Sequence, residues 1–478
     1  MASRSITWRR HTVALCALAI LSACAGAPPG SPTNPPPGDL PPPDSTKPAA
    51  TGAAAPAPAA PPPAANEGFG LYRQGGLLAQ AGAIPFVGSV RYFAGATADS
   101  TLVLVALSLA NRSFLFAPEG TYERASFAVT VTVRDSATLV ARVEDQQVVR
   151  VATFKETARS DESVVFERYL TVHPGTYTLT VTINDPATSN TTSGQIGITV
   201  PKLGMQALSS PTVVHRAVPR LHRDTLPNLV ANPRATLVFG KDSVASLYLE
   251  SYALTAGSRI AITVENPDHL PLLRDTVTIT RATPLAAAVF DLPMSRLGLG
   301  RRMILATIVG SPDTMRTPLW ITVGEGIGIV SFEELLSYLR YFATADRLQA
   351  LRDTPPEERA GAWAAFWKST DPNPATVENE ALTDYFERIQ AANKQFHEQG
   401  EAGWLTDRGK VFITLGEPDQ IMGQNGRGLT PSGRSQYWAY SRHGIRFEFV
   451  DQTGFGRWRL TQRSESAFEQ VAAQERVH

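Results

Sequence analysis

The stretch Gly403-Trp404-Leu405-Thr406-Asp407-Arg408-Gly409-Lys410-Val411-Phe412-Ile413-Thr414-Leu415-Gly416-Glu417-Pro418-Asp419-Gln420-Ile421 organises the reading of the chain. It spells an aromatic, a turn, a short apolar run and a second turn. Thr406-Asp407-Arg408-Gly409 has turn composition, because Thr and Asp bond nearby backbone and Gly accepts positive φ. Residues 411–415 are β-rich and short, which predicts a strand. Gly416-Glu417-Pro418-Asp419 ends that run, since Pro fixes φ and lacks a donor. Trp404 reads as a core plug. Asp407 reads as a carboxylate capping its own turn, with no acid or His partner close in sequence.

The same residues carry a resemblance. Gly403-Trp404-x-Thr406-Asp407, Arg408-Gly409-x-Val411 and Gly416-Glu417-Pro418-Asp419 are similar to the bacterial GWxTD-domain family. The match extends upstream through Phe366-Trp367-Lys368, Asp371-Pro372-Asn373-Pro374, Glu378-Asn379-Glu380, Tyr385-Phe386-Glu387-Arg388 and Ala392-Asn393. Downstream it takes in Trp438, Tyr440, Phe447, Phe449 and Asp451. The resemblance implies a domain over residues 326–478 and brings no activity with it. A looser similarity, from Leu415-Gly416-Glu417-Pro418-Asp419 and the Trp-x-Tyr and Phe-x-Phe-x-Asp strands, points to small outer-membrane assembly lipoproteins.

Working outward to the N-terminus, Arg4, Arg9 and Arg10 precede a short apolar core over residues 12–20, too short to span a bilayer. Leu21-Ser22-Ala23-Cys24 resembles a bacterial lipobox. Residues 1–23 are then a signal peptide, and Cys24 is the lipidation site. Cleavage after Ala23 of a plain signal peptide is the alternative. Arg9-Arg10 hints at twin-arginine export, but the following residues fit the general route better. Acyl chains contribute about 0.8 kcal/mol per buried methylene, enough for a firm anchor. Ala25 after the Cys, by similarity to known sorting signals, favours the outer membrane, with the folded part in the periplasm or at the cell surface. The chain's two cysteines are Cys16 and Cys24, so export leaves no intrachain disulfide to form.

Residues 24–66 are a linker. Fifteen of the 36 prolines lie between Pro28 and Pro63, with too little apolar surface to offset ordering entropy. At about 3.1 Å per residue such a segment reaches on the order of 100 Å. It is either a passive tether or a spacer that lifts the folded part away from the membrane.

The fold class expected is multidomain: two all-β regions resembling immunoglobulin-like sandwiches, then an α+β domain with helices on a small antiparallel sheet. Residues 67–202 are the first β region, with strands at 101–107, 127–133, 164–172 and 174–183. Residues 203–325 are the second, with strands at 246–252, 259–264, 276–279, 287–292, 303–309 and 319–323. Whether these are separate domains stays open. After residue 328, Ser331-Phe332-Glu333-Glu334 and Pro355-Pro356-Glu357-Glu358 open helices. Thr376 is expected to cap a long helix striped with Leu382, Tyr385, Phe386, Ile389 and Phe396. Strands at 436–440, 445–450 and 457–462 follow. Five of the seven tryptophans lie between Trp363 and Trp458, so this domain holds the richest aromatic core.

Function is less legible. Lys+Arg and Asp+Glu are equal at 44, which argues against nucleic acid as a partner. The eight histidines show no metal-ligand spacing, and no nucleophile elbow or Walker loop occurs, so no catalytic residue, metal or cofactor is assigned. The candidate motif residues are Gly403, Trp404, Thr406, Asp407, Arg408, Glu417, Pro418 and Asp419. Arg427, Arg434, Arg457 and Arg459 form a candidate anion or partner patch. Gly423-Gln424-Asn425-Gly426-Arg427-Gly428 lacks the strand-to-helix context of a phosphate loop and reads as a hairpin loop. The resulting expectation is a non-enzymatic envelope lipoprotein, anchored through Cys24, that binds an envelope protein or polymer. The alternative is a hydrolase of envelope polymers built on carboxylates among Glu398, Glu401, Asp407, Glu417, Asp419 and Asp451.

Overall fold

The computed structural model describes residues 64–159, 164–323, 332–376, 378–398, 401–424 and 434–476. Helix α1 (Ala64–Gln74) overlaps the end of the stretch read as linker and opens the first β region. Its Tyr72 ring meets Trp320 at 5.3 Å, which anchors it. Nine strands follow: β1 (Leu78–Gln80), β2 (Phe86–Ala94), β3 (Thr101–Leu109), β4 (Ala117–Glu119), β5 (Tyr122–Asp135), β6 (Thr138–Val151), β7 (Val164–Val172), β8 (Gly175–Asp185) and β9 (Asn190–Val200). A four-residue helix, α2 (Phe154–Thr157), sits between β6 and β7. One sheet runs β1-β2-β3-β7, the other β4-β5-β8-β9 with β6 also on β5.

The sheets bury each other. Val103, Val105 and Leu107 of β3 meet Val129 and Val131 of β5 and Val181 of β8 in one apolar cluster. β5 alternates buried and half-buried residues, as a strand with one core face should. β3 does not alternate: all nine residues are buried. Its second face, Leu102, Leu104 and Ala106, packs on Val214, Leu229 and Tyr248 of the next region. That explains the unbroken apolar run of residues 101–107.

The second region contains β10 (Ala207–Leu208), β11 (Thr212–Val218), β12 (Asn228–Ala231), β13 (Thr236–Val238), β14 (Val244–Leu254), β15 (Arg259–Glu265), β16 (Pro271–Thr278), β17 (Thr283–Pro293), β18 (Gly300–Ile308) and β19 (Thr314–Thr322). A single turn of helix, α3 (Met294–Leu297), lies between β17 and β18. The sheets are β10-β14-β11-β12, with β17 also on β14, and β13-β19-β18-β15-β16. All the pairings are antiparallel except β13 with β19.

A buried ionic joint ties the two regions. Arg220 Nε and Nη2 donate to the two oxygens of Glu250, each at 2.8 Å. Tyr248 and Tyr252 hydroxyls donate to the same carboxylate at 2.6 Å. Arg220 Nη2 also reaches Ala94 O at the end of β2, 2.8 Å away. Both charges lie out of water, so each depends on the other.

The C-terminal part holds α4 (Phe332–Tyr338), α5 (Ala345–Asp353), α6 (Arg359–Thr370), α7 (Glu380–Gln395), α8 (Asp407–Leu415) and α9 (Gln462–Glu475). Its sheet is β20 (Gln420–Gln424), β21 (Arg434–Tyr440), β22 (Ile445–Asp451) and β23 (Arg459–Leu460), in that order and antiparallel. The helices-then-sheet order stands, closed by α9. The core is continuous with the second β region: Phe239 meets Trp363 at 6.3 Å and Trp367 at 5.3 Å.

Several local expectations are corrected. Residues 411–415 belong to helix α8, because a capped helix start outweighs their weak β preference. α7 is capped by Asn379, whose Oδ1 accepts from Leu382 N–H at 3.0 Å. Thr376 instead bonds Glu380. Pro355 opens a turn, and α6 proper begins at Arg359. The strand expected over 457–462 shrinks to two residues before α9.

The ionic joint makes a prediction. Glu250→Ala strands a buried guanidinium and should cost about 3–5 kcal/mol in urea unfolding, whereas an apolar Arg220→Met/Glu250→Leu pair should cost less than that single change. Equal losses would contradict the joint as drawn.

Candidate functional site

The Gly403–Asp407 motif is a junction between α7, α8 and β23. Each letter of the motif answers to a neighbour. A Cβ on Gly403 would lie 2.0 Å from Ala392 O, so only glycine lets the chain cross the end of α7. Trp404 N–H donates to Asn393 Oδ1 at 3.0 Å. Its indole packs on Tyr338, ring centroids 4.7 Å apart, under the Arg340 guanidinium. Leu405, the variable letter, is 38 % exposed. Thr406 is fully buried, and its Oγ1 donates to Gly403 O at 2.8 Å and accepts from Gly409 N–H at 3.1 Å. That is an N-cap, and it starts α8. A Cβ on Gly409 would fall 1.9 Å from Gly403 O, so the cap and the close crossing require each other.

Asp407 does not cap its own turn. Its Oδ2 accepts from Leu460 N–H at 2.8 Å and pins β23 to α8. Arg408 lies between two rings, 5.4 Å from the Phe396 centroid and 5.2 Å from that of Trp458. Burial lowers its pKa, and the nearby Glu398 and Asp451 carboxylates oppose that shift. The second turn is also structural. Gly416 ends α8 with φ of 82°, and its carbonyl accepts from Tyr440 O–H at 3.0 Å. Asp419 accepts from Ser441 N–H at 2.5 Å, which holds its carboxyl below the ordinary range. Glu417 is exposed and Pro418 half-buried.

The other acids are similarly occupied. Glu398 accepts from Trp458 N–H at 3.1 Å and pairs with Arg459 at 3.4 Å. Burial pushes its pKa up against the amide and arginines that pull it down. Glu401 pairs with Arg459 at 3.1 Å. Of the candidate patch, Arg459 is thus an ion-pair partner of both carboxylates. Arg434 opens β21 opposite Asp451 in register, and Arg457 is exposed. Arg427 and Cys24 lie outside the described residues. Among the described residues, no three His, Cys, Asp or Glu side chains cluster as metal ligands.

A feature missed in the sequence lies beside Arg457. Asp451 is buried and accepts four hydrogen bonds from its own loop: Thr453 N–H (3.2 Å), Thr453 Oγ1–H (3.0 Å), Gly454 N–H (2.9 Å) and Gly456 N–H (2.7 Å). Burial alone would raise this carboxyl, but the donors outweigh it and hold it below its usual value. The clamped loop carries Phe455, 84 % exposed. The Gly-Phe-Gly spelling after an Asp was the available signal.

Comparison with known proteins agrees with the motif. The family model described as GWxTD domain matches residues 328–471, so the chain carries a GWxTD domain. No curated protein matches the chain. Similar solved structures are distant. One is titled "Biofilm associated protein - BSP domain", at 9 % identity and TM-score 0.16, covering 52 % of each chain. Another is trypsin-activated alpha-2-macroglobulin from Escherichia coli, at 10 % and 0.18, covering 53 % of this chain and 17 % of that one. A third is a tetra-tandem repeat in the extending region of a large adhesion protein, at 12 % and 0.14, covering 45 % and 55 %. All three matches thus span less than two thirds of the neighbour's length.

Two outcomes follow from this geometry. Thr406→Ala should cost about 1 kcal/mol in denaturant unfolding, as a lost cap does, and Gly409→Ala should cost more because a main-chain carbonyl must move. For Asp451 the folded pKa is the lower one, so its stabilisation is whole above about pH 4 and fades as pH falls through the folded value. Thermal melts should therefore show a shallower acid limb for Asp451→Asn than for the parent.

Proposed function

We propose that this GWxTD-domain protein is a membrane-anchored envelope lipoprotein that recognises a protein partner through its C-terminal domain. On this reading Cys24 carries the acyl chains, and residues 24–66 are the spacer. Residues 67–202 and 203–325 are immunoglobulin-like modules that position the domain at 326–478, on the outer membrane. The observation that carries the reading is Phe455. A large apolar ring held in water by a buried carboxylate clamp has no folding role among the described contacts. Arg457 on the same loop, and Arg434 opposite Asp451, add guanidiniums at the same end of the sheet. Aromatic and arginine side chains of this kind are the residues that dominate protein interfaces.

The hydrolase alternative needs two carboxylates facing substrate. Asp407 is committed to Leu460 N–H and Asp451 to its own loop, which supports recognition over reaction. A scaffold role in assembling other envelope proteins is a special case of the same proposal.

The test is a photo-crosslinking residue at position 455 in intact cells, with Phe154, an equally exposed aromatic in the β part, as the control site. A discrete adduct at 455 alone, lost on Arg457→Glu, is expected; matching smears from both sites would sink the idea. Separately, Cys24→Ser should move the protein from the membrane pellet to the soluble fraction. A mature chain that begins at another residue and is soluble would remove the anchor.

A further inference from the structure

Arg302, on β18, is buried to 9 % exposure yet has no acidic partner among the described residues. Its Nε donates to Leu297 O at 2.5 Å, Nη2 to Leu299 O at 2.6 Å and Nη1 to Arg301 O at 2.7 Å. A guanidinium has five N–H donors, so two have no acceptor among the described residues. The contrast is Arg220, also buried, whose guanidinium is paired with Glu250 and whose remaining donors reach the Arg223, Thr225 and Ala94 carbonyls. Buried charges are normally paired, and an unpaired one in a cleft marks a functional candidate. Burial drags the Arg302 pKa down to about 10.

Arg302 lines a cleft of about 310 Å³ between α1, the second β region and the C-terminal helices. That size sits at the small end of ligand pockets, about 300–1,000 Å³. Arg301 and Arg359 line the same cleft, Arg359 with its guanidinium 4.8 Å over the Phe332 ring. The acid on the lining is Asp268, which is exposed and already within reach of the Asn266 amide at 3.4 Å. Leu299, Trp320 and Trp363 supply apolar wall.

We propose that this cleft binds a small amphipathic anion. A carboxylate or phosphate head meets Arg302 with Arg301 and Arg359, and a short apolar body lies along Leu299, Trp320 and Phe332. Its volume suits one short chain better than a two-tailed lipid. The plainer reading makes Arg302 a plug for the carbonyls that follow α3. That reading accounts for three hydrogen bonds of Arg302 and, with Arg359 donating to Thr354 O at 3.1 Å, leaves unexplained why Arg301 also lines the cleft. This site is separate from Phe455 and does not depend on the partner proposal.

The test titrates the whole folded protein with octanoate and octyl phosphate by calorimetry and tryptophan fluorescence, against octanol and octyltrimethylammonium. Either anion should bind at least about tenfold tighter than octanol, the effect of charge-assisted hydrogen bonds. The tighter of the two names the head group. Arg301→Gln and Arg359→Gln should each weaken binding several-fold, and the exposed Arg301→Gln should do so without moving the melting temperature, which keeps the test valid if Arg302→Met misfolds. Octanol binding as tightly as octanoate, no anion binding at millimolar concentration, or unchanged affinity in both the Arg301 and the Arg359 variant would each overturn the proposal.

Discussion

The carbonyl oxygen of Ala392 leaves no space for a side chain at residue 403, and the C-terminal domain is arranged around that contact. Because the chain can cross α7 so closely, Thr406 lands where its hydroxyl bridges Gly403 O and Gly409 N–H. The cap aims α8, and α8 carries Asp407 to the amide of Leu460. Gly, Trp, Thr and Asp in this order therefore specify a joint among three elements. A joint of this kind has few tolerated residues for steric reasons alone, without any chemistry passing through it.

The β part is held by burial and by ion pairing, with no cysteine beyond Cys24. β3 is the pivot, since it is buried on both faces and belongs to two apolar clusters at once. The Arg220–Glu250 pair adds orientation more than net stability, because desolvation offsets much of the attraction. Through Trp320 and Phe239 the second β region shares its apolar core with the C-terminal helices. Force or binding at one end would thus act on packed structure.

What the sequence made readable follows from how local each cause is. The alternation at residues 127–133 and 164–172 needs only one buried sheet face, and both are strands. The stripe from Leu382 to Ile389 needs only one helix face, and it is buried. Residues 411–415 were misread because their β-branched side chains are local, whereas the close crossing at Gly403 is not. The partners of Asp407, read as capping its own turn, and of Arg459, read as part of a patch, were hidden because Leu460 and Glu398 lie more than fifty residues away. Helix α9 was missed because its Ser, Glu and Gln residues mute the apolar period that buries Phe468 and Ala472. Phe455 escaped notice because Gly-Phe-Gly after an Asp signals a clamped loop, whereas the exposure of its ring depends on the whole fold.

The central claim is that the motif serves as a structural junction. Native-state amide hydrogen exchange over residues 403–410 and 458–460 tests it most directly. A junction predicts that Gly409 and Leu460 amides exchange only through global opening, with protection rising and falling with overall stability. Exchange at the pace of exposed loop amides, indifferent to overall stability, would contradict the account and return Asp407 to the pool of groups free for chemistry.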